Sequence, residues 1–208
     1  MYMQASHQTS PDSAIPGADS PFAAGNDRGY AQWREAKLCD YPRSLADLTV
    51  FIQDPSTLSS GEKHAILKAV AKTNFAVFQC ASADAVDKTA ISLLGKQLGL
   101  EHLDGNLCAD DDKITSITVD HSGAKNTYIP YTNRPISWHT DGYYNDVPGH
   151  AVRSFILYCA QNATSGGANR LMDQDLAYIY LRDRDPALVE ALSHAHAMTI
   201  PANVARPI

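Results

Sequence analysis

Apolar positions change their period near the middle of the chain. Ser59-Ser60-Gly61-Glu62 has the spacing of a capping box, and Ile66, Ala69 and Val70 then share one helical face as far as about Lys72. Asn74 to Cys80 (NFAVFQC) is short, apolar and aromatic, which predicts a buried strand. Ser82 can cap a second helix with a stripe of Val86, Ala90, Leu93, Leu94 and Gln97, stopped at Gly99. Further on the pattern turns strand-like. Ile114 to Val119 is β-branched, Ile136 to Tyr143 is apolar and aromatic around a His-x-Asp, and Val152 to Ala160 (VRSFILYCA) is a third candidate. Gly166-Gly167 marks a turn. Asp173 can cap a helix through Arg182, and Asp185-Pro186 opens another through about Ser193. Helices come first, then strands with inserted helices, an α+β pattern.

Composition narrows the function classes. With 208 residues, 44% hydrophobic and 19% charged, the chain can bury a core. A net charge of −6 without a Lys/Arg cluster argues against nucleic acid as a partner. The four cysteines, Cys39, Cys80, Cys108 and Cys159, form no CxxC pair, so the expectation is reduced thiols in a cytoplasmic protein. No 18-residue apolar run predicts a membrane span, and the first residues lack the pattern of a signal peptide. Residues 1–29 are rich in Ser, Pro, Ala, Gly and Asp and read as a disordered tail, with one domain over 30–208.

The chemistry-bearing feature is His-x-Asp. Non-haem iron is commonly held by two His and one carboxylate on one face of the ion, which leaves the other face open. On a strand, residues two apart point the same way, so one strand can supply two ligands. Eight His and 19 Asp in this length give roughly one such pair by chance. Two occur, His102-Leu103-Asp104 and His139-Thr140-Asp141. The first follows a helix stop and precedes Gly105-Asn106, as a polar loop pair would. The second lies beside Ile136 and Trp138 in strand-like surroundings, and is preferred as the metal pair.

More than spacing supports that choice. Residues 128–145, YIPYTNRPISWHTDGYYN, resemble the Trp-His-(Thr/Ser)-Asp segment of the taurine dioxygenase/TfdA-like family of Fe(II)/2-oxoglutarate-dependent dioxygenases. Ser165-Gly166-Gly167-Ala168-Asn169 resembles that family's Gly-Gly-Asp-Thr segment, with Asn169 in place of its Thr. The NFAVFQC strand and the helix ending QLGL also match its N-terminal layout, so the resemblance covers about Trp33 to Pro201. It implies a double-stranded β-helix, a jelly-roll barrel with flanking helices, of which this chain would hold a part. It implies Fe(II) on His139 and Asp141, and a small organic substrate hydroxylated with O2 while 2-oxoglutarate is decarboxylated to succinate. Asn169 would then stand near the co-substrate, able to donate to its carboxylate through the amide NH2. The family's distal His and its 2-oxoglutarate-binding Arg belong to the C-terminal part of the barrel. This chain ends 67 residues after Asp141, before that part is expected. The expectation is therefore a chain inactive alone, naming no catalytic residue beyond the ligands, and prone to self-association through open strand edges.

Other residues carry blander readings. His194 and His196 could share a face in an extended segment, but the family places no ligand there. His121 and His150 read as loop residues, and His64 as the polar side of a helix. Tyr128, Tyr131, Trp138, Tyr143 and Tyr144 could line a pocket or simply pack. Asp110-Asp111-Asp112 reads as a solvated loop. Arg170, Arg182 and Arg184 could each meet a carboxylate, with Arg182 and Arg184 placed on helix ends. Two rival readings stay open: a partial barrel kept as an interaction module, and a hydrolase using His139, Asp141 and His194 or His196.

Overall fold

The structure is a computed structural model that describes residues 2–6, 17–82, 86–105, 108–121, 123–142 and 152–199. The described strands are β1 (Tyr2–Ser6), β2 (Thr49–Ile52), β3 (Val77–Cys80), β4 (Leu103–Asp104) and β5 (Val152–Leu157). The helices are α1 (Asp27–Leu38), α2 (Leu45–Leu48), α3 (Ser60–Thr73), α4 (Lys88–Gln97), α5 (Gln174–Arg184) and α6 (Pro186–Ser193). The mixture is α+β, as the patterning predicts. The strands form an antiparallel sheet in the order β4-β1-β5 and a parallel pair β2-β3. A double-stranded β-helix is not what the described residues form.

The chain divides into two compact units. The first comprises residues 1–12, 49–67 and 77–167; the second comprises 13–48, 68–76 and 168–208. Helix α3 gives its first half to one unit and its second half to the other.

In the first unit, local signals behave as expected. The Glu62 N–H donates to Ser59 Oγ at 3.2 Å and the Ser59 N–H donates to Glu62 Oε2 at 2.7 Å, the reciprocal pair of a capping box. Those bonds hold the Glu62 carboxyl below its ordinary range, the Ser59 hydroxyl contributing most. Helix α4 begins later than Ser82 would place it. Its cap is Asp87, whose Oδ1 accepts from the Ala90 N–H at 2.8 Å. It ends at Gly99, whose φ of +87° allows the Gly99 and Leu100 N–H groups to reach the Lys96 and Gly95 carbonyls. Its buried stripe is Ala90, Ile91 and Leu94, with Leu93 turned outward. The core adds Ile52, Ile66, Ile114, Tyr131 and Ile156, and the Phe78 and Tyr158 rings stack at 6.2 Å.

Three strand expectations need correction. Asn74 has a φ of +63°, so extended chain starts only at Val77, where the unanticipated β2 pairs with it. Ile114–Val119 forms no continuous strand; Ile114 and Thr115 are buried, and within the segment extended pairing is limited to a single β-bridge residue, Thr115. Residues 136–142 are irregular as well, while Tyr143 and Tyr144 lie outside the described residues. The tail reading also changes. Residues 2–6 form the central strand of the antiparallel sheet, and α1 starts at Asp27, capped by Asn26.

The second unit is built on α1, α5 and α6, with a polar centre. Lys37 Nζ lies 2.8 Å from Asp173 Oδ2 and 2.6 Å from Asp175 Oδ2, and the Lys37 and Asp173 side chains are buried. Asp173 also accepts from the Tyr41 hydroxyl and the Asn74 amide, and caps α5 through the Asp175 N–H. Arg182 belongs here too. It is buried, with its guanidinium 4.1 Å from the Tyr30 ring centroid, and it donates to the Pro21 carbonyl and the Tyr178 hydroxyl. The expected helix-end position holds, since Arg182 lies in the last turn of α5, and there it stacks, for which its flat guanidinium suits it. Burial, then the bond to Asp183, pushes the Tyr30 hydroxyl up to about 12.

Candidate metal centre

The segment that carries His139 and Asp141 lies wholly in the first unit. Its irregular path still brings the two side chains together: His139 Nε2 is 3.2 Å from Asp141 Oδ1. The other ring nitrogen, Nδ1, is 2.8 Å from the Ser137 carbonyl. A carbonyl only accepts, so Nδ1 donates to Ser137, which leaves Nε2 as the ring atom turned toward Asp141. This is the arrangement by which outer hydrogen bonds fix the tautomer and orientation of a ligating histidine.

The separation also suits a shared ion. Two donors at right angles on one ion, each about 2.1 Å away, sit about 3.0 Å apart. Imidazole nitrogen and carboxylate oxygen are the donor types that non-haem iron uses. Both side chains remain partly exposed, at 37% and 28%, so the pair is open on one side. The donors present therefore fit two positions of a facial site. Among the described residues, no group of three His, Cys, Asp or Glu side chains is placed to hold a metal.

Gly142 is a residue whose role sequence reasoning passed over. Its φ is +70°, and a Cβ built there would meet Val152 Cγ2 at 2.4 Å. The turn after Asp141 therefore requires glycine on two grounds, backbone conformation and space. The available signal was the Asp-Gly pair itself, a turn dipeptide. Trp138 is 61% exposed, so it is not packed as a structural strand residue.

The remaining candidates divide between the two units. Asn169 is exposed and belongs to the second unit, just after Gly166 and Gly167, whose φ values of +71° and +74° bear out the turn. His102 is exposed at the start of β4, and Asp104 pairs with Gln4 of β1 in the sheet register. His194 and His196 are exposed in the second unit, with the His196 N–H donating to His194 Nδ1 at 3.1 Å. Asp110 is tied to Lys88 at 2.6 Å, and that ammonium holds its carboxyl below the usual range. His7 and His150 lie outside the described residues.

The family described as taurine catabolism dioxygenase TauD, TfdA family matches residues 40–205, a span that includes His139, Asp141 and Asn169. A uridine-5'-phosphate dioxygenase from a Streptomyces species is 29% identical over 86 residues. The aligned part is 41% of this chain and 31% of that relative, so less than a third of the relative's length is matched. No solved structure matches the chain.

Proposed function

We propose that this chain, which belongs to the taurine catabolism dioxygenase TauD, TfdA family, supplies His139 and Asp141 as two ligands of Fe(II) in a 2-oxoglutarate-dependent dioxygenase. The observation that carries this reading is the 3.2 Å approach of His139 Nε2 to Asp141 Oδ1, with the imidazole fixed from behind by the Ser137 carbonyl. When bound, iron with 2-oxoglutarate supplies the oxidising chemistry, in which O2 is consumed, 2-oxoglutarate becomes succinate and CO2, and a small organic substrate is hydroxylated.

The chain's own residues orient and exclude. The Ser137 carbonyl holds the His139 ring through Nδ1, so that Nε2 is the nitrogen that would face a bound ion. Gly142, with its φ of +70°, lets the backbone turn directly at Asp141. Asn169 is proposed to donate its amide to a carboxylate of 2-oxoglutarate, the role of the family's Thr. The double-stranded β-helix is the fold this membership leads us to propose for the intact domain. No helix among the described residues is long and apolar enough to cross a membrane.

Two donors hold iron weakly, and the described residues offer no third beside them. We therefore expect the 208-residue chain alone to be inactive or nearly so. The test supplies Fe(II), 2-oxoglutarate, ascorbate and oxygen, and measures succinate. The expected result is no more than trace succinate above a metal-free control. Robust succinate formation, lost in His139→Ala, would show that a third ligand comes from this chain, and His194→Ala and His196→Ala would then locate it.

A further inference from the structure

β1 lies outside the span that the family matches, yet it is the middle strand of the antiparallel sheet. Gln4 and Ala5 pair with Asp104 and Leu103 of β4, and Tyr2 to Ser6 pair with β5 from Leu157 back to Val152. Among the described residues no other strand pairs with β4 or β5, so β1 alone joins them into a sheet.

The ladder is irregular where it ends. Ala5 faces Ser154 and Ser6 faces Val152, which leaves Arg153 as the extra residue of a β-bulge. A bulge bends its strand and redirects the side chains beside it. Val152 stands at this bulge, and its Cγ2 fills the space beside Gly142, only 2.4 Å from where a Cβ on that glycine would lie. Gly142 directly follows Asp141, whose Oδ1 is 3.2 Å from His139 Nε2. Backbone pairing at Ser6, the Val152 side chain and the Gly142 turn therefore make one continuous path within the first unit, from the N-terminal strand to the His-Asp pair.

We propose that residues 2–6 are a positioning strand for the metal pair. Docked between β4 and β5, they hold Val152 against Gly142 and so set where the Asp141 carboxylate stands relative to His139. None of the five touches iron; they act through Val152 and Gly142. Without β1 the start of β5 loses its described ladder, Val152 loses its fixed place, and the turn at Gly142 loses its backing. Such a coupling is reciprocal: a docked β1 favours the metal, and the metal favours a docked β1. The proposal rests on the dioxygenase reading only in taking His139 and Asp141 as ligands; the path from β1 to Gly142 is present without metal.

The test uses the 208-residue chain and its Gln4→Pro variant. Gln4 is paired on both sides, so proline there removes a ladder donor and should undock β1 without altering any residue of the path. Amide exchange across β5 should then quicken, while α4, with its buried Ile91 and Leu94, stays protected. In the metal-free protein the Gly142 amide and His139 ring resonances should shift. Anaerobic Fe(II) affinity should fall about tenfold or more, the usual effect of losing a support behind a ligand. In a Val152→Ala background Gln4→Pro should add little to either change, because the link is already cut. A second measurement needs no variant, and so stands if Gln4→Pro fails to fold: Fe(II) added to the parent chain should slow exchange across β5. Quickened β5 exchange with unmoved Gly142 and His139 resonances would make β1 a structural strand only and overturn the proposal. So would unchanged β5 exchange in Gln4→Pro, full additivity with Val152→Ala, or β5 exchange in the parent indifferent to bound Fe(II). If His139→Ala leaves Fe(II) binding intact while Gln4→Pro still shifts Gly142, the metal reading falls and the path from β1 remains.

Discussion

Gly142 turns the chain immediately after Asp141 with a φ of +70°, and the space a side chain would take is filled by Val152. An L-residue there incurs about 1–2 kcal/mol for the backbone alone, and the 2.4 Å approach adds a clash. Gly142→Ala should lower the stability of the first unit by at least that amount in denaturant melts. It should also weaken iron binding, because the carboxylate moves with the turn. Adding Val152→Ala should restore the steric part and leave the backbone part. Full recovery in the double variant would show that the positive φ is not required. The closeness of His139 and Asp141 was legible as a candidate in the sequence, because a short motif pairs residues by spacing alone. Gly142 was harder to read: its need arises from contact with Val152, ten positions away.

The helices show where local information suffices. The capping box at Ser59, the stop at Gly99 and the caps at Asp173 and Asp185 all form, because each links residues within about one turn. Strands fared worse for the converse reason. β2 is recognisable only once β3 lies beside it, and β1 only once β4 and β5 flank it. Ile114–Val119 has β-branched residues, yet among the described residues only Thr115 is in a β-bridge, so propensity did not decide. Asp173 was readable as a cap, yet its larger part is non-local, joining α1, the segment after α3 and the start of α5 through Lys37, Asn74 and Asp175. Burial alone would raise the Asp173 carboxyl, but the bonds from Lys37, Asn74 and Tyr41 hold it below its usual value of 3.8. Burial likewise opposes the Lys37 charge, and the two carboxylates hold its pKa above 10.5. Asp173→Ala leaves a buried ammonium without its most buried partner and should lose about 3–5 kcal/mol. A lowered carboxyl stabilises the fold above its unfolded pKa and loses this as pH falls through the folded value. A raised ammonium stabilises it below its unfolded pKa and loses this as pH rises through the folded value. Stability of the second unit should therefore be level through neutrality, fall below the ordinary Asp range and fall again above the ordinary Lys range. Denaturation midpoints measured across pH check this, and an Asp173→Ala protein with the same acid limb as the parent would contradict it.

Across the whole chain, both sheets have open edges, since β4-β1-β5 and β2-β3 are not closed among the described residues. Phe51, Leu192 and Met198 are each more than 60% exposed. Unpaired edges and apolar surface favour association of like chains. Sedimentation velocity should show self-association that increases with concentration; a monomer throughout would show that these surfaces are covered in another way. The resemblance to TauD/TfdA dioxygenases was legible from WHTD and the Gly-Gly segment, and the family match over residues 40–205 agrees with it. The barrel that the resemblance implies was not visible in the strands, whose pairing depends on partners far away in sequence. The central claim stands on two side chains 3.2 Å apart, and anaerobic titration with Fe(II) tests it most directly. The parent chain and His102→Ala should bind Fe(II) alike, while His139→Ala and Asp141→Ala should lose binding. Equal binding by all four proteins, or loss only in His102→Ala, would contradict the account.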